Sequence, residues 1–276
     1  MDQTIARIDH PPASRLIGRG ESGEVFWLDE HRVLKLFFAH VALHTVEREL
    51  LASAAAFARG LLVAEPFEIV RVGDRHGLTM RRLAGPVLLR KVGKRPIGMT
   101  LALIALARWQ ARLHRQPTDV ALPTLTAVLT NQLASSVADG RAIAVATRIM
   151  LEGQGGDRLC HGDLHFGNII ASPQGLAAID WAKANIGPAE ADAARSELLI
   201  RYGSYGRFMR RFPPARSFRH VSAEWYLFWY CVLSGRRRRD IIRWRLPIAV
   251  AWMQGQTTMY EPGLTRAITR MTARYE

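Results

Sequence analysis

The pattern of apolar and polar positions divides the chain into a strand-rich first third and a helical remainder. Residues 15–28 set a glycine turn between two apolar stretches, and residues 32–38 follow as a short β-like run, which predicts a hairpin and a third strand. Val46, Leu50, Leu51, Ala54 and Phe57 then recur at helical spacing, with Gly60 as the stop signal. Residues 61–72 and 76–83 predict two more strands around the turn at Gly73-Asp74, and Ala84-Gly85-Pro86 breaks the pattern. After Pro96 the period becomes helical: residues 99–115 carry Leu103, Leu106, Trp109, Ala111 and Leu113, and residues 125–137 and 141–151 read the same way. Residues 159–164 and 169–179 predict short strands flanking loops, and helices dominate from Glu190 onward. The expected fold class is α+β and bilobal, with a small antiparallel-sheet lobe and one helix in residues 1–86 and a mainly helical lobe in residues 87–276.

Composition narrows the function classes. A chain of 276 residues, 49% hydrophobic, buries roughly three quarters of its unfolded surface. Its two cysteines, Cys160 and Cys231, form neither a CxxC nor a Cys/His cluster in sequence, which argues against a disulfide framework and a structural zinc site. Met1 and Asp2 open a segment without the basic start and apolar core of a secretory signal, so a cytoplasmic location is expected. The longest apolar runs, 225–233 and 246–253, fall short of the ~20 residues that span a bilayer and read as buried helices. The net charge is +14, and residues 181–276 hold most of it, with 17 Lys and Arg against 7 Asp and Glu. Solvated surface arginines account for such an excess most simply, and no nucleic-acid partner is expected.

Three groups of residues carry candidate chemistry. Gly18, Gly20 and Gly23, with Ser22 between them, fit GxGxxGxV in a strand–turn–strand setting, where backbone N–H groups can lie over nucleotide phosphates. A dinucleotide fingerprint needs a helix after the third glycine, and Val25-Phe26-Trp27 argues against one. Lys35, alternating with Leu34 and Leu36, can neutralise phosphates if an acid of the next helix holds it; Glu49 is the first choice and Glu47 the alternative. The densest group is Cys160-His161-Gly162-Asp163-Leu164-His165-Phe166-Gly167-Asn168, followed by Ile179-Asp180-Trp181. Phosphoryl transfer from a nucleotide needs a carboxylate to orient or deprotonate a hydroxyl, and hard oxygen ligands for Mg2+. Asp163 can supply the first, and Asn168 and Asp180 the second. A transition-metal site on His161 and His165 is disfavoured, because Gly162 and Gly167 oppose a helix there and no HExxH glutamate is present.

Together these motifs resemble the aminoglycoside phosphotransferase and choline kinase group of small-molecule kinases, which have a protein-kinase-like fold. The resemblance rests on HGDLHxGNI at 161–169, Ile-Asp-Trp at 179–181, Gly187-Pro188 followed by Asp192, and Leu113-His114. It implies ATP as phosphate donor, Mg2+ held by Asn168 and Asp180, Asp163 as catalytic base, and Lys35 paired with Glu49 at the phosphates. It further implies adenine contact around Met80, Arg81 and Leu83, and a bracing role for Asp192. The first lobe then binds nucleotide, and the second carries catalysis and the acceptor.

Two features favour a small-molecule acceptor over a protein. Gly162 stands where protein kinases carry an arginine, and the 12-residue interval from Asp180 to Asp192 has no room for an activation segment. The basic C-terminal third disfavours a polycation, so a neutral or anionic alcohol is expected, although Glu197, Glu224 and Asp240 are acids a pocket could use. Arg236, Arg237, Arg238 and Arg239 read as a solvated helix end, with Trp225, Trp229, Trp244 and Trp252 in the core at helix-like spacing. The alternative for this region is an interfacial patch against acidic membrane lipid. The rival functions are a protein or envelope-lipid kinase, and a nucleotide-binding pseudokinase with a basic interaction surface.

Overall fold

The computed structural model of the protein describes residues 5–92, 96–203, 214–254 and 262–276. Met1 and Asp2, read above for a leader, lie outside the described residues. The period-2 segments form strands β1 (Ala6–Arg7), β2 (Leu16–Arg19), β3 (Gly23–Trp27), β4 (Arg32–Phe37), β5 (Pro66–Val72) and β6 (Arg75–Arg81). They make one sheet in the order β1-β5-β6-β4-β3-β2, antiparallel except where the two-residue β1 runs parallel to β5. Helix α1 (Leu43–Ala58) covers one face, where Val46 packs with Phe37 and Leu78. Phe26, Leu34, Leu36, Val70 and Val72 form a second cluster. Residues 61–65, expected to begin a strand, stay outside the sheet because Leu61 and Val63 are buried in the core of the helical half, where Val63 bridges Ala178.

The rest of the chain builds that helical half. It comprises α2 (Leu88–Val92), α3 (Pro96–Leu113), α4 (Leu125–Ala134), α5 (Gly140–Glu152), α6 (Ala189–Tyr202), α7 (Pro214–Ser234), α8 (Arg238–Arg243), α9 (Arg245–Ala251) and α10 (Pro262–Tyr275). Thr124 caps α4 by accepting from Ala127 N, and Asp139 caps α5 by accepting from Arg141 N. Four short strands interrupt the helices: β7 (Arg158–Cys160), β8 (Ile169–Ser172), β9 (Gly175–Ala178) and β10 (Asn185–Gly187). The expected strand at 159–164 ends at Cys160, since Gly162 turns the chain at φ +75°. The stretch 169–179 folds back on itself as the β8–β9 hairpin.

The helical core centres on α3, α6 and α7. Leu103, Leu106 and Leu113 of α3 are buried, each contributing roughly 1.5–3 kcal/mol of transfer free energy. Helix α6 is buried on nearly every side, and its small Ala189, Ala191, Ala193 and Ala194 permit close approach of its neighbours. The apolar run 246–253 is buried as expected, apart from half-buried Trp252. The run 225–233 is not wholly so. Trp244 is buried, but Trp229 is half-buried, Trp225 is 36% exposed and Phe228 is 52% exposed. Phe218, Val221, Trp225, Phe228 and Val232 form an outward stripe along α7, because its inward face is filled by Tyr226, Leu227 and Tyr230. No helix among the described residues is long and apolar enough to cross a membrane.

Candidate active site

The glycine turn joins β2 to β3, with Gly20 N donating to Gly23 O at 2.9 Å and Phe38 N donating to Ser22 O at 2.9 Å. Its glycines differ in why they lack a side chain. A Cβ on Gly18 would meet nothing within 4 Å and one on Gly20 only Gly23 O at 3.9 Å, so the surface above them is open. A Cβ on Gly23 would lie 2.4 Å from Leu36 O, so that glycine serves the approach of β4 rather than of a ligand.

Lys35 projects from β4 toward α1, on the opposite side from buried Leu34 and Leu36. Its Nζ donates to Glu49 at 2.6 and 2.9 Å and to Asp180 Oδ1 at 2.8 Å. Glu49 is buried while Glu47 is exposed, which decides between the two acids: only Glu49 lies on the helix face turned to the sheet. Burial disfavours the Lys35 ammonium, but Glu49 and Asp180 overcome it and hold its pKa above the ordinary lysine range. Burial likewise raises the Glu49 carboxyl, with Lys35 pulling the other way. Asp180 follows β9 with φ +64°, the one non-glycine residue in the left-handed region among those described. An aspartate tolerates this at a cost of about 1 kcal/mol, and the turn aims its carboxylate back at Lys35.

The loop after β7 is fixed from below by Asp192, in the first turn of α6. Its carboxylate accepts from His161 N at 3.3 Å, Gly162 N at 2.8 Å and Gln110 Nε2 at 2.7 Å, and pairs with His114 Nε2 at 3.1 Å. Burial opposes this charge, yet His114 and the donors hold its pKa to about 2. Tyr226 donates to Gln110 and Tyr230 meets His114 Nδ1, so the brace reaches into α3 and α7. Gly162 has no room for a side chain, since a Cβ would stand 2.1 Å from Lys183 O.

Above this brace lie Asp163 and Asn168, both buried. Asn168 Nδ2 donates to Asp163 O at 2.9 Å and to its Oδ2 at 3.5 Å, which leaves the amide oxygen as the group's free valence for a ligand. Ile179 N donates to Asn168 O at 3.0 Å and ties Asp180 to the same loop. His161 accepts from Asp163 N on Nδ1 and donates from Nε2 to Ile179 O at 3.1 Å; burial lowers its pKa, so it is neutral. His165 Nδ1 accepts from Gly167 N at 2.9 Å. Both histidines thus shape the loop.

Lys183 is absent from the sequence-based site. Its Nζ donates to Asp163 Oδ2 at 2.9 Å from the segment after Asp180. Burial works against an Asp163 charge, but Lys183, Arg195 and His165 outweigh it and hold the pKa to about 2. Nothing local in Trp181-Ala182-Lys183-Ala184 marks this lysine; only the pairing of β10 with β7, Asn185 opposite Cys160, returns it to the loop. Of the hinge residues, Met80 packs with Phe37 and Leu78, Leu83 is half-buried, and Arg81 spends its guanidinium and its N–H on Glu65. His114, Cys160 and Asp192 cluster in space though not in sequence. Burial raises the Cys160 thiol well above its ordinary range, and its Sγ donates to the Gly187 carbonyl at 3.7 Å.

Two acids of the C-terminal third, Glu197 and Glu224, are committed to arginines. Glu197 binds Arg201 at 2.5 Å and Arg245 at 2.9 Å, and Glu224 binds Arg201 at 2.6 Å and Arg238 at 2.5 Å. In the arginine run, Arg236 pairs with Glu190, Arg238 with Glu224 and Arg239 with Asp240.

The model of a family described as "Phosphotransferase enzyme family" matches residues 14–201. No curated protein matches the chain. Among solved structures, an amicoumacin kinase in complex with AMP-PNP, Ca2+ and Ami superposes with a TM-score of 0.62 at 13% identity, covering 96% of this chain and 89% of that one. The aminoglycoside phosphotransferase APH(3'')-Id from Streptomyces rimosus gives 0.58 at 18% identity, with 87% and 92% covered. A choline/ethanolamine kinase family protein from Mesorhizobium loti gives 0.59 at 14% identity, with 93% and 85% covered. These likenesses establish the fold, and the family match, which takes in the glycine turn, Lys35, the Asp163 loop, Asp180 and Asp192, establishes that the chain belongs to the phosphotransferase enzyme family.

Proposed function

We propose that the protein transfers the terminal phosphate of ATP, with Mg2+, to a hydroxyl of a small neutral or anionic alcohol, and that Asp163 orients that hydroxyl. The observation that carries this is two runs of contacts, Glu49–Lys35–Asp180 and Asn168–Asp163–Lys183, joined where Ile179 N donates to Asn168 O, which together gather three carboxylates, an amide oxygen and two ammonium groups. Residues 1–86 are the nucleotide-binding lobe in this reading, and residues 87–276 hold the catalytic loop and the acceptor.

The donor set fits Mg2+, which favours a few hard oxygens plus water and phosphate oxygens. Asn168 turns its amide nitrogen into the loop and keeps its oxygen, and Asp180 keeps a partly exposed carboxylate beside Lys35. These two residues would hold the ion, which when bound neutralises charge on the phosphate oxygens. Lys35, held by Glu49, stands where a phosphate can take it over, and the turn before β3 has open space at Gly18 and Gly20. Met80, Arg81 and Leu83 remain our assignment for the adenine contact. AMP-PNP and Ca2+ in the amicoumacin kinase structure are in keeping with a nucleotide and a divalent cation here.

Asp163 with a pKa near 2 is a poor proton sink but a permanent acceptor. Orientation is what a loose phosphoryl-transfer transition state asks of it, since the hydroxyl need not be fully deprotonated before attack. The arginines paired with Glu197 and Glu224 offset the negative charge that a polycation would need, which supports a neutral or anionic acceptor. The test is Mg2+-dependent transfer of phosphate from ATP to a panel of sugars, amino alcohols and hydroxy acids. Asp163→Asn should lower turnover by about 10²–10⁴ with nucleotide binding retained; undiminished turnover removes Asp163 from the role.

A further inference from the structure

Between the Asp163 loop and helices α1, α4, α6 and α9 lies a cavity of about 70 Å3. On the same measure one water needs roughly 10–15 Å3, so the space admits a group of about five to seven non-hydrogen atoms. Arg48, Lys183 and Arg195 line it, against a single lining carboxylate, Asp192, whose oxygens are already taken by the loop and by Gln110 and His114. Its remaining walls are largely apolar side chains of α4 and α9.

Three buried polar atoms on this wall have no hydrogen-bond partner among the described residues: Arg48 Nε, Gln132 Oε1 and Asn185 Oδ1. Groups left so cost about 1–3 kcal/mol each, and native interiors rarely tolerate several in one place. They are one donor and two acceptors beside three positive charges. An anionic head group would offset that positive charge, and polar atoms of a ligand that reached Arg48 Nε and the two amide oxygens would satisfy them.

We propose that this cavity is the recognition pocket of the acceptor, and that it takes the anionic head of a small hydroxylated acid. The inference rests on the kinase reading and names the acceptor class for it. Lys183 links pocket and chemistry: it lines the cavity while its Nζ lies 2.9 Å from Asp163 Oδ2. Gly162, the residue before Asp163, also lines it. An anion on the far side of that ammonium therefore sits one ion-pair length, about 2.8 Å, from Lys183 Nζ, and up to two such lengths from Asp163, which orients the hydroxyl. The acceptor's charge and its reacting hydroxyl are then only a few bonds apart. A cationic amino alcohol meets three like charges there.

The experiment is calorimetric titration of the full chain, saturated with Mg2+ and AMP-PNP, with glycerate, glycerol 3-phosphate, glycerol and ethanolamine. Glycerate or glycerol 3-phosphate should bind, with the stronger of the two identifying carboxylate or phosphate as the preferred head, while glycerol and ethanolamine should not. Arg195→Gln and Arg48→Gln should each weaken the anion on the order of tenfold or more, and Arg195→Lys should restore it to within a few-fold; AMP-PNP binding reports that each variant is folded. The inference is overturned if the anions bind no better than glycerol, if ethanolamine binds better than they do, or if they bind the glutamine variants as tightly as the parent. Nucleotide binding without anion binding rejects the pocket alone. Anion binding without any nucleotide binding rejects the kinase reading instead.

Discussion

At the scale of single residues, the site works through charges held where burial opposes them. Asp163 owes its low pKa to Lys183 first among its neighbours, so removing that ammonium must let the carboxyl take a proton at higher pH. A group with a depressed pKa loses its ionised form as pH falls through that pKa. The acid limb of kcat, measured at saturating acceptor from pH 7 down to pH 3, should therefore begin at higher pH in Lys183→Met than in the parent, whose Asp163 stays ionised across that range; a limb at the same pH in both would mean that Asp163 is not the titrating group. Asp180 makes a different separation possible. Its φ of +64° costs about 1 kcal/mol that a glycine recovers, and Lys35 keeps Glu49 when Asp180 is gone. Asp180→Gly should hold or slightly raise Tm while abolishing Mg2+-dependent nucleotide binding, and a protein that binds as before removes Asp180 from the metal.

At the scale of elements, the glycine hairpin contains two kinds of glycine that a motif writes with one letter. Gly23→Ala drives a Cβ into Leu36 O of β4 and should lower Tm, with a cost of about 1–3 kcal/mol for the overpacking. Gly20→Ala, with open space around its Cβ, should leave Tm nearly unchanged and weaken ATP; thermal shifts with and without nucleotide separate the two. The hairpin, the order of strands and helices, and the Asp163 loop were legible because each is written in contiguous residues with a local period. Lys183, β10, Arg48 and Arg195 were not, because what places them is pairing between segments distant in sequence, as when Arg48 Nη1 donates to Ala182 O. Helix α7 misled for another reason. Hydrophobicity marks Trp225 and Phe228 as apolar but does not say which face of a helix finds neighbours, and α3 and α6 lie on the other side.

At the scale of the whole molecule, the net charge of +14 is less bare than the sequence suggests. Glu197, fully buried, joins Arg201 and Arg245, and Glu224 ties the same arginines to Arg238, so helices α6, α7, α8 and α9 share one ion network. Glu197→Ala leaves two half-buried guanidinium groups with Glu224 as their remaining acid and should cost about 1.5–3 kcal/mol, whereas Arg239→Ala, at an exposed pair, should cost about 0–1 kcal/mol; urea midpoints of the two variants make the comparison. The segment between Asp180 and Asp192 is equally settled. It is pinned to β7 through β10, and its eleven residues, 181–191, include no serine, threonine or tyrosine. Where a protein kinase carries a switch that other enzymes write upon, this segment offers no hydroxyl to write on.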